Sequence, residues 1–424
     1  MGDTVQRVAT RRQYPSGETN TLRNADKVTR IPDTLPAPDA DAQAHSAELA
    51  AAIRQEIRGA GGSIPFSRFM ELCLYAPGLG YYSAGATKFG GAGDFVTAPE
   101  LGHLFAECVG EAILPVLGAL EESSILEIGG GTGAFAGDLL RHLQASNRLP
   151  ARYCLLEPSA QLRQRQREHL QAVLPPEIFA RVEWLDRPFE QPWNGVVFAN
   201  EVLDALPTTR FAIAEEEVWE DHVALDKKDA FVVIGRPADA LVTASVRHVE
   251  RALDHPFAED YRSELLPQLP YWVQAVIGPM QRGVLLFVDY GYGRGEYYQP
   301  QRGDGTLRAF RRHHVVDDVL AWPGLQDITA SIDFTALAEA GTGAGFDLAG
   351  YCSQASFLIG NGLDRRLVAA EAQAADEVAR LRLRQQVKRL TMPEEMGERF
   401  QVMGFARDVE FGHAFLIGDL AYRL

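Results

Sequence analysis

The residues of this chain whose types and spacing could do chemistry gather between positions 127 and 204. Glu127-Ile128-Gly129-Gly130-Gly131-Thr132-Gly133 extends the apolar run Ser124-Ile125-Leu126 and leads into Phe135, Leu139, Leu140 and Leu143 at helical spacing. That is a strand, a glycine loop and a helix, an arrangement in which glycines let backbone N–H groups approach a ligand at the helix N-terminus. A second apolar run, Tyr153–Leu156, ends at Glu157, where an acid can accept from both hydroxyls of a ribose. Asp186 follows a third run; it suits an adenine amino group or, equally, a turn before Arg187-Pro188. Asn200, Glu201 and Asp204 follow a fourth, Gly195–Ala199, where catalytic groups project from open α/β sheets. A helix cap for Asn200 and plain solvent exposure for Glu201 are the alternatives.

The glycine loop reads in two ways. From Gly131 it satisfies GxGxxA, the dinucleotide fingerprint; from Glu127 it is Glu-x-Gly-x-Gly-x-Gly, the pattern of an S-adenosylmethionine (SAM) site. Ligand chemistry separates them. A dinucleotide brings a pyrophosphate, which an acid at the end of the first strand would repel. SAM has no phosphate; its methionyl end carries an ammonium and a sulfonium, for which Glu127 would be an anionic neighbour. The chemistry favours SAM, with NAD as the alternative.

The 41 basic and 57 acidic side chains leave a net charge of −16, which argues against a broad nucleic-acid surface. An apolar fraction of 46% excludes wholesale disorder, and no run approaches the roughly 18 apolar residues of a membrane span. Cys73, Cys108, Cys154 and Cys352 form no CxxC pair and the histidines no HExxH; His313-His314 before Asp317-Asp318 suits a solvated helix start, so no metal is expected. Reduced thiols point to the cytoplasm, or to the mitochondrial matrix in a eukaryote.

The elements positioning these residues follow from periodicity. Strands alternating with helices from Ser124 predict a parallel, doubly wound α/β sheet. Residues 1–45 show no apolar periodicity and read as a disordered tail. Residues 46–123 read as a helical and lid segment, with the glycine-rich stretch Ala76–Pro99 as a covering loop, and 124–207 as the first half of the core. Residues 208–283 read as an inserted α+β region, antiparallel strands at 209–235 and then helix. Residues 284–424 form the second half of the core: an irregular stretch from Asp289 to Gly345, one long amphipathic helix over Asp364–Leu390, and antiparallel closing segments Phe400–Phe411 and His413–Leu420.

Phe66–Glu100 carries Leu74-Tyr75-x-Pro77-x-x-Gly80-Tyr81-Tyr82 and Gly93-Asp94-Phe95-x-Thr97-Ala98-Pro99-Glu100, and with these blocks the chain resembles the MidA family. The similarity continues through Glu127–Gly133, Leu156-Glu157-Pro158-Ser159, Asn200-Glu201 with Asp204-Ala205-Leu206-Pro207, Val288-Asp289-Tyr290-Gly291, Gly305–Arg308 and Asp327–Phe334, and covers about residues 55–360. Val202-Leu203 departs from it, standing where bulkier aromatics are expected.

The resemblance implies a class I SAM-dependent methyltransferase (Rossmann-like) fold. It places Pro158 and Ser159 in the cofactor site beside Glu127, Gly129, Gly131, Thr132, Gly133, Glu157, Asp186 and Asn200. It also implies a basic, arginine-containing protein substrate, in mitochondrial relatives a subunit of respiratory complex I. A protonated guanidinium is a poor nucleophile, so carboxylates must orient it and accept its proton; Glu201, Asp204 and Asp94 are the candidates. A small-molecule or other protein methyltransferase, or a SAM-binding assembly factor without turnover, are the rival readings.

Overall fold

Runs that are apolar at successive positions cannot face water on either side, and here they become the inner strands of one sheet. The computed structural model describes residues 37–84, 97–312 and 314–424. Its central sheet contains β1 (Ser124–Ile128), β2 (Arg152–Leu156), β3 (Val182–Leu185), β4 (Trp193–Asn200), β5 (Met280–Tyr292), β6 (Asp347–Ser353) and β7 (Phe400–Arg407). They lie in the order β6-β7-β5-β4-β1-β2-β3. Neighbours from β5 to β3 pair in parallel, whereas β7 is antiparallel to both β5 and β6. The doubly wound α/β expectation therefore holds. Along β5, Val284, Leu286 and Val288 share a core with helices Leu104–Ala119 and Ala134–Ala145, while Phe287 meets Trp272 at 6.4 Å between ring centroids. Phe135, on the helix after the glycine loop, stacks on Phe198 of β4 at 4.1 Å.

The chain divides into two compact units. The one holding this sheet spans Thr87–Asp204, Gln268–Tyr297 and Ser331–Leu424. The other is built, among the described residues, from 37–84, Ala205–Pro267 and Tyr298–Ala330. Its helices Ala40–Gly59 and Phe66–Tyr75 pack with a five-stranded and a three-stranded antiparallel sheet around Leu49, Ile53, Phe66, Phe69 and Val223.

Several boundaries differ from the sequence reading. The Asp39 side chain accepts from the Ala42 N–H at 2.9 Å and caps a helix from Ala40, so residues 40–45 are not tail; the first turn is alanine-rich and carries no apolar stripe. Residues 1–36 lie outside the described residues. Of the span 46–123, residues 46–84 fall in one unit and 97–123 in the other, and the inserted region ends at Pro267, because the helix Leu269–Ile277 belongs with the sheet. Within the stretch read as irregular, Arg308–Arg311 pairs with both His314–Val316 and Asp327–Thr329. The expected long helix is two helices, Leu363–Gln373 and Glu377–Thr391, because Asp376 caps the second through the Ala379 N–H at 2.7 Å. Leu367 and Val387 pack on the core, but Val368, Val378 and Leu381 are exposed. His413–Leu420 forms no strand; the antiparallel partner of β7 at the sheet's edge is β6.

Candidate active site

Sheet register decides which side chains reach the carboxyl edge together. Leu185, Leu156, Ile128, Ala199 and Phe287 pair in one row across β3, β2, β1, β4 and β5. Asp186, Glu157, Gly129 and Asn200 are therefore the next residues out, followed by Glu201 and Asp289. The order reverses between β1 and β4, where ligands bind in doubly wound sheets.

The loop after β1 turns on Gly129, Gly131 and Gly133, with φ of +68°, +52° and +87°, a region that disfavours side chains. A Cβ on Gly131 would meet nothing within 4 Å, whereas one on Gly129 would lie 2.9 Å from Val202 Cγ2. The loop is pinned from its inner side by Gln166, fully buried, whose Nε2 donates to the Gly131 carbonyl at 3.0 Å and to Glu157 Oε2 at 3.3 Å. Gln166 Oε1 accepts from Trp184 Nε1 at 2.9 Å. Sequence reasoning missed this residue. The signal was there: Gln166 stands midway between buried Leu162 and Leu170 on one i, i+4, i+8 stripe.

Glu157 is 4% exposed, and its Oε1 accepts from the Ser159 N–H at 2.9 Å. Burial pushes its carboxyl up to about 7, against the pull of the Ser159 and Gln166 hydrogen bonds. Ser159 caps the helix Ala160–Val173 through the Leu162 N–H, with Pro158 between it and Glu157. Asp186 is exposed and paired with Arg163 at 2.7 Å; Arg163 also donates to the carbonyls of Leu185 and Glu157, joining the ends of β3 and β2. Glu127 lies inside, accepting from the Tyr153 hydroxyl at 2.7 Å, and burial likewise raises it to about 7.

Beyond β4, Glu201 adopts φ +52°, uncommon for a side-chain-bearing residue and a mark of local strain. Its N–H donates to the Val288 carbonyl at 2.9 Å, and its Oε1 accepts from Asn200 Nδ2 at 3.0 Å. Among the described residues, the buried Asn200 Oδ1 has no hydrogen-bond partner. The turn is gathered by Asp289 of β5, whose Oδ2 accepts from the N–H groups of Val202, Leu203 and Asp204 at 3.2, 2.9 and 3.3 Å. Asp289 Oδ1 takes the Tyr290 N–H at 2.9 Å. Burial, then the charges of Asp204 and Glu201, hold the Asp289 carboxyl well above the usual range. Its position was quoted in the resemblance, but its role was missed. Asp204 is buried. Leu203, where an aromatic was expected, is buried too, while Val202 faces Gly129.

Asp94 lies outside the described residues. A different acid from the same block, Glu100, reaches the loop and accepts from the Thr132 hydroxyl. Tyr81 and Tyr82 belong to the other unit, where Tyr81 is buried and the Tyr82 hydroxyl donates to Asp327 at 2.8 Å. Their visible work is packing.

Raised carboxyls have a consequence for stability. The folded state keeps protons on Glu127 and Glu157 up to about 7, whereas the unfolded chain releases them near 4.5. Each therefore lowers stability by about 3 kcal/mol as pH rises between those values. Glu157→Gln, a mimic of the protonated acid, should melt with wild type at pH 5 and above it at pH 8. A constant Tm difference across that range would refute this account.

The family described as "Putative S-adenosyl-L-methionine-dependent methyltransferase" matches residues 108–352. The chain is 30% identical to the mitochondrial protein arginine methyltransferase NDUFAF7 of Danio rerio, over 81% of this chain and 83% of that one. The human protein of the same name is 26% identical over 80% and 79%. A candidate methyl transferase from Burkholderia thailandensis, crystallised with S-adenosyl-homocysteine, superposes with a TM-score of 0.85 at 42% identity, covering 92% of this chain and all of that one. Among the described residues, no helix is long and apolar enough to cross a membrane.

Proposed function

Because the chain belongs to the family of S-adenosyl-L-methionine-dependent methyltransferases that matches residues 108–352, we propose that it methylates a guanidinium nitrogen of a basic protein. SAM is its cofactor, and the residues present fit that group. The backbone at Gly131 is open to a ligand, and the buried Asn200 Oδ1 offers an acceptor. In this reading Gly129, Gly131, Thr132 and Gly133 lie against the cofactor's methionyl part. Glu157, flanked by Pro158 and Ser159, takes the ribose, and Asp186 lies towards the adenine. Glu127 supports the loop from below: a Cβ on Gly130 would sit 3.4 Å from its Cδ. Bound SAM supplies a methyl group on a positively charged sulfur.

The observation that carries the arginine reading is the gathering of Glu201, Asp204 and Asp289 at the carboxyl edge by the hydrogen bonds of one turn. Crowded carboxylates that repel one another are stabilised by a cation, and a guanidinium's planar fork matches them. Glu201 and Asp204 orient the acceptor nitrogen and accept its proton; Asp289 holds them in place. Asp94 stays a proposal from the family resemblance, as does a complex I subunit as the acceptor protein. The overall charge of −16 would steer a basic partner inward. Incubation with SAM and peptides bearing arginine, lysine or carboxylate acceptors, read by mass spectrometry, should place methyl groups on arginine. Transfer to another acceptor overturns the arginine reading; none at all favours an assembly factor without turnover.

Ribose hydroxyls donating to Glu157 favour its ionised form, so binding should release a proton, and affinity should rise with pH through about 7. Calorimetry of S-adenosyl-homocysteine at pH 6.5, in buffers of different ionisation heat, should show that release. Glu157→Ala should abolish it and weaken binding by about 1.5–3 kcal/mol. Buffer-independent heats would remove Glu157 from the ribose site.

A further inference from the structure

We propose that Glu100 is the carboxylate that receives the α-ammonium of the cofactor's methionyl end. The inference rests on the cofactor lying against the glycine loop. The methionyl end needs an acid, and the two acids at the ends of β1 and β2 are otherwise engaged. Glu127 is 3% exposed beneath the loop, with the Tyr153 hydroxyl on it; Glu157, held by the Ser159 N–H and Gln166, is the acid given to the ribose. Glu100 is half-buried and reaches the loop from the short helix Ala98–Leu101, through the Thr132 hydroxyl.

That contact places a carboxylate beside the residue between Gly131 and Gly133, next to the backbone whose added Cβ would meet nothing. One hydroxyl donor leaves a carboxylate with further acceptor capacity on both oxygens, enough for an ammonium. The acid is also held ready. Ala98 is fully buried, Leu101 packs on the same core, and the Glu100 N–H donates to the Thr97 carbonyl at 3.0 Å. A charge-assisted pair formed on such a fixed backbone loses little conformational entropy on binding.

The test compares two ligands by calorimetry on the full chain. S-adenosyl-homocysteine carries the amino-acid end; 5′-methylthioadenosine has the same nucleoside and sulfur without it. Glu100→Gln should weaken S-adenosyl-homocysteine by about 10- to 100-fold and leave 5′-methylthioadenosine within about twofold. Glu100→Asp, which keeps the charge on a shorter arm, should fall between wild type and Glu100→Gln. Equal weakening of both ligands would mean that Glu100 only holds the loop, and unchanged binding of both would also overturn the proposal. Wild-type protein binding neither ligand would instead overturn the cofactor site itself, and the proposal with it.

Discussion

Asp204→Asn should leave S-adenosyl-homocysteine affinity within about twofold of wild type and cut methyl transfer by about 10²-fold or more, the usual size of a lost general base. The substitution keeps the volume of a buried side chain and the Asp204 N–H bond to Asp289 Oδ2 at 3.3 Å. It removes the capacity to take a proton and one of the charges that stabilise a guanidinium. Because Asp204 is among the charges that raise the Asp289 carboxyl, neutralising it relieves repulsion, and Tm should hold or rise. A loss of transfer in a protein that melts no lower separates chemistry from folding. Undiminished transfer would remove Asp204 from the mechanism and leave Glu201 as the proton acceptor. Glu201→Gln should be less clean, because its Oε1 is the partner of Asn200 Nδ2 at the carboxyl edge.

Asp289→Ala should be the most damaging single change at the site. It strips the acceptor from the N–H groups of Val202, Leu203, Asp204 and Tyr290, in a place where Asp289 is 1% exposed. Each buried donor left unmade costs about 1–3 kcal/mol, offset in part by the removal of a crowded carboxylate. Unclamped, the turn keeps only the Glu201 N–H bond to the Val288 carbonyl and the Asn200 contact to hold Glu201 at φ +52°, so the acids lose much of their common aim. Transfer should fall by more than about 10²-fold, with kcat affected before cofactor affinity. Asp289→Asn should recover much of it, because its amide oxygen can still accept from the turn while its NH2 opposes the Tyr290 N–H. Two variants equally impaired would mean that the charge of Asp289, rather than the clamp, is what matters. Full activity in Asp289→Ala would show that the turn is held by its own backbone.

What was legible in the sequence is what local chemistry encodes. The strand, loop and helix from Ser124 to Ala145 follow from an apolar run, glycines at positions needing positive φ, and a helical stripe. Glu157, Asn200, Glu201 and Asp204 could be placed at the carboxyl edge because they follow apolar runs, and the sheet register puts the ends of those runs in one row. In the sequence, SAM is preferred over a dinucleotide on the formal charge of Glu127, a premise that its burial beneath the loop weakens. Tertiary structure decided what depends on segments returning from far along the chain. Asp289 lies 85 residues beyond the Asp204 N–H it accepts, and Glu100 lies 32 before Thr132. No local periodicity marks either partner, since a side-chain bond between segments far apart in the chain is set by how they pack and not by spacing. Three separate segments build the second unit for the same reason: Ser63–Pro65 finds its strand partner at 222–224. The division of the expected long helix turned on a single capping side chain, Asp376. Glu127 shows the limit most directly. The sequence by itself determined that an acid precedes the glycines, but only packing against Tyr153 decided that its carboxyl lies buried, where desolvation favours the neutral form.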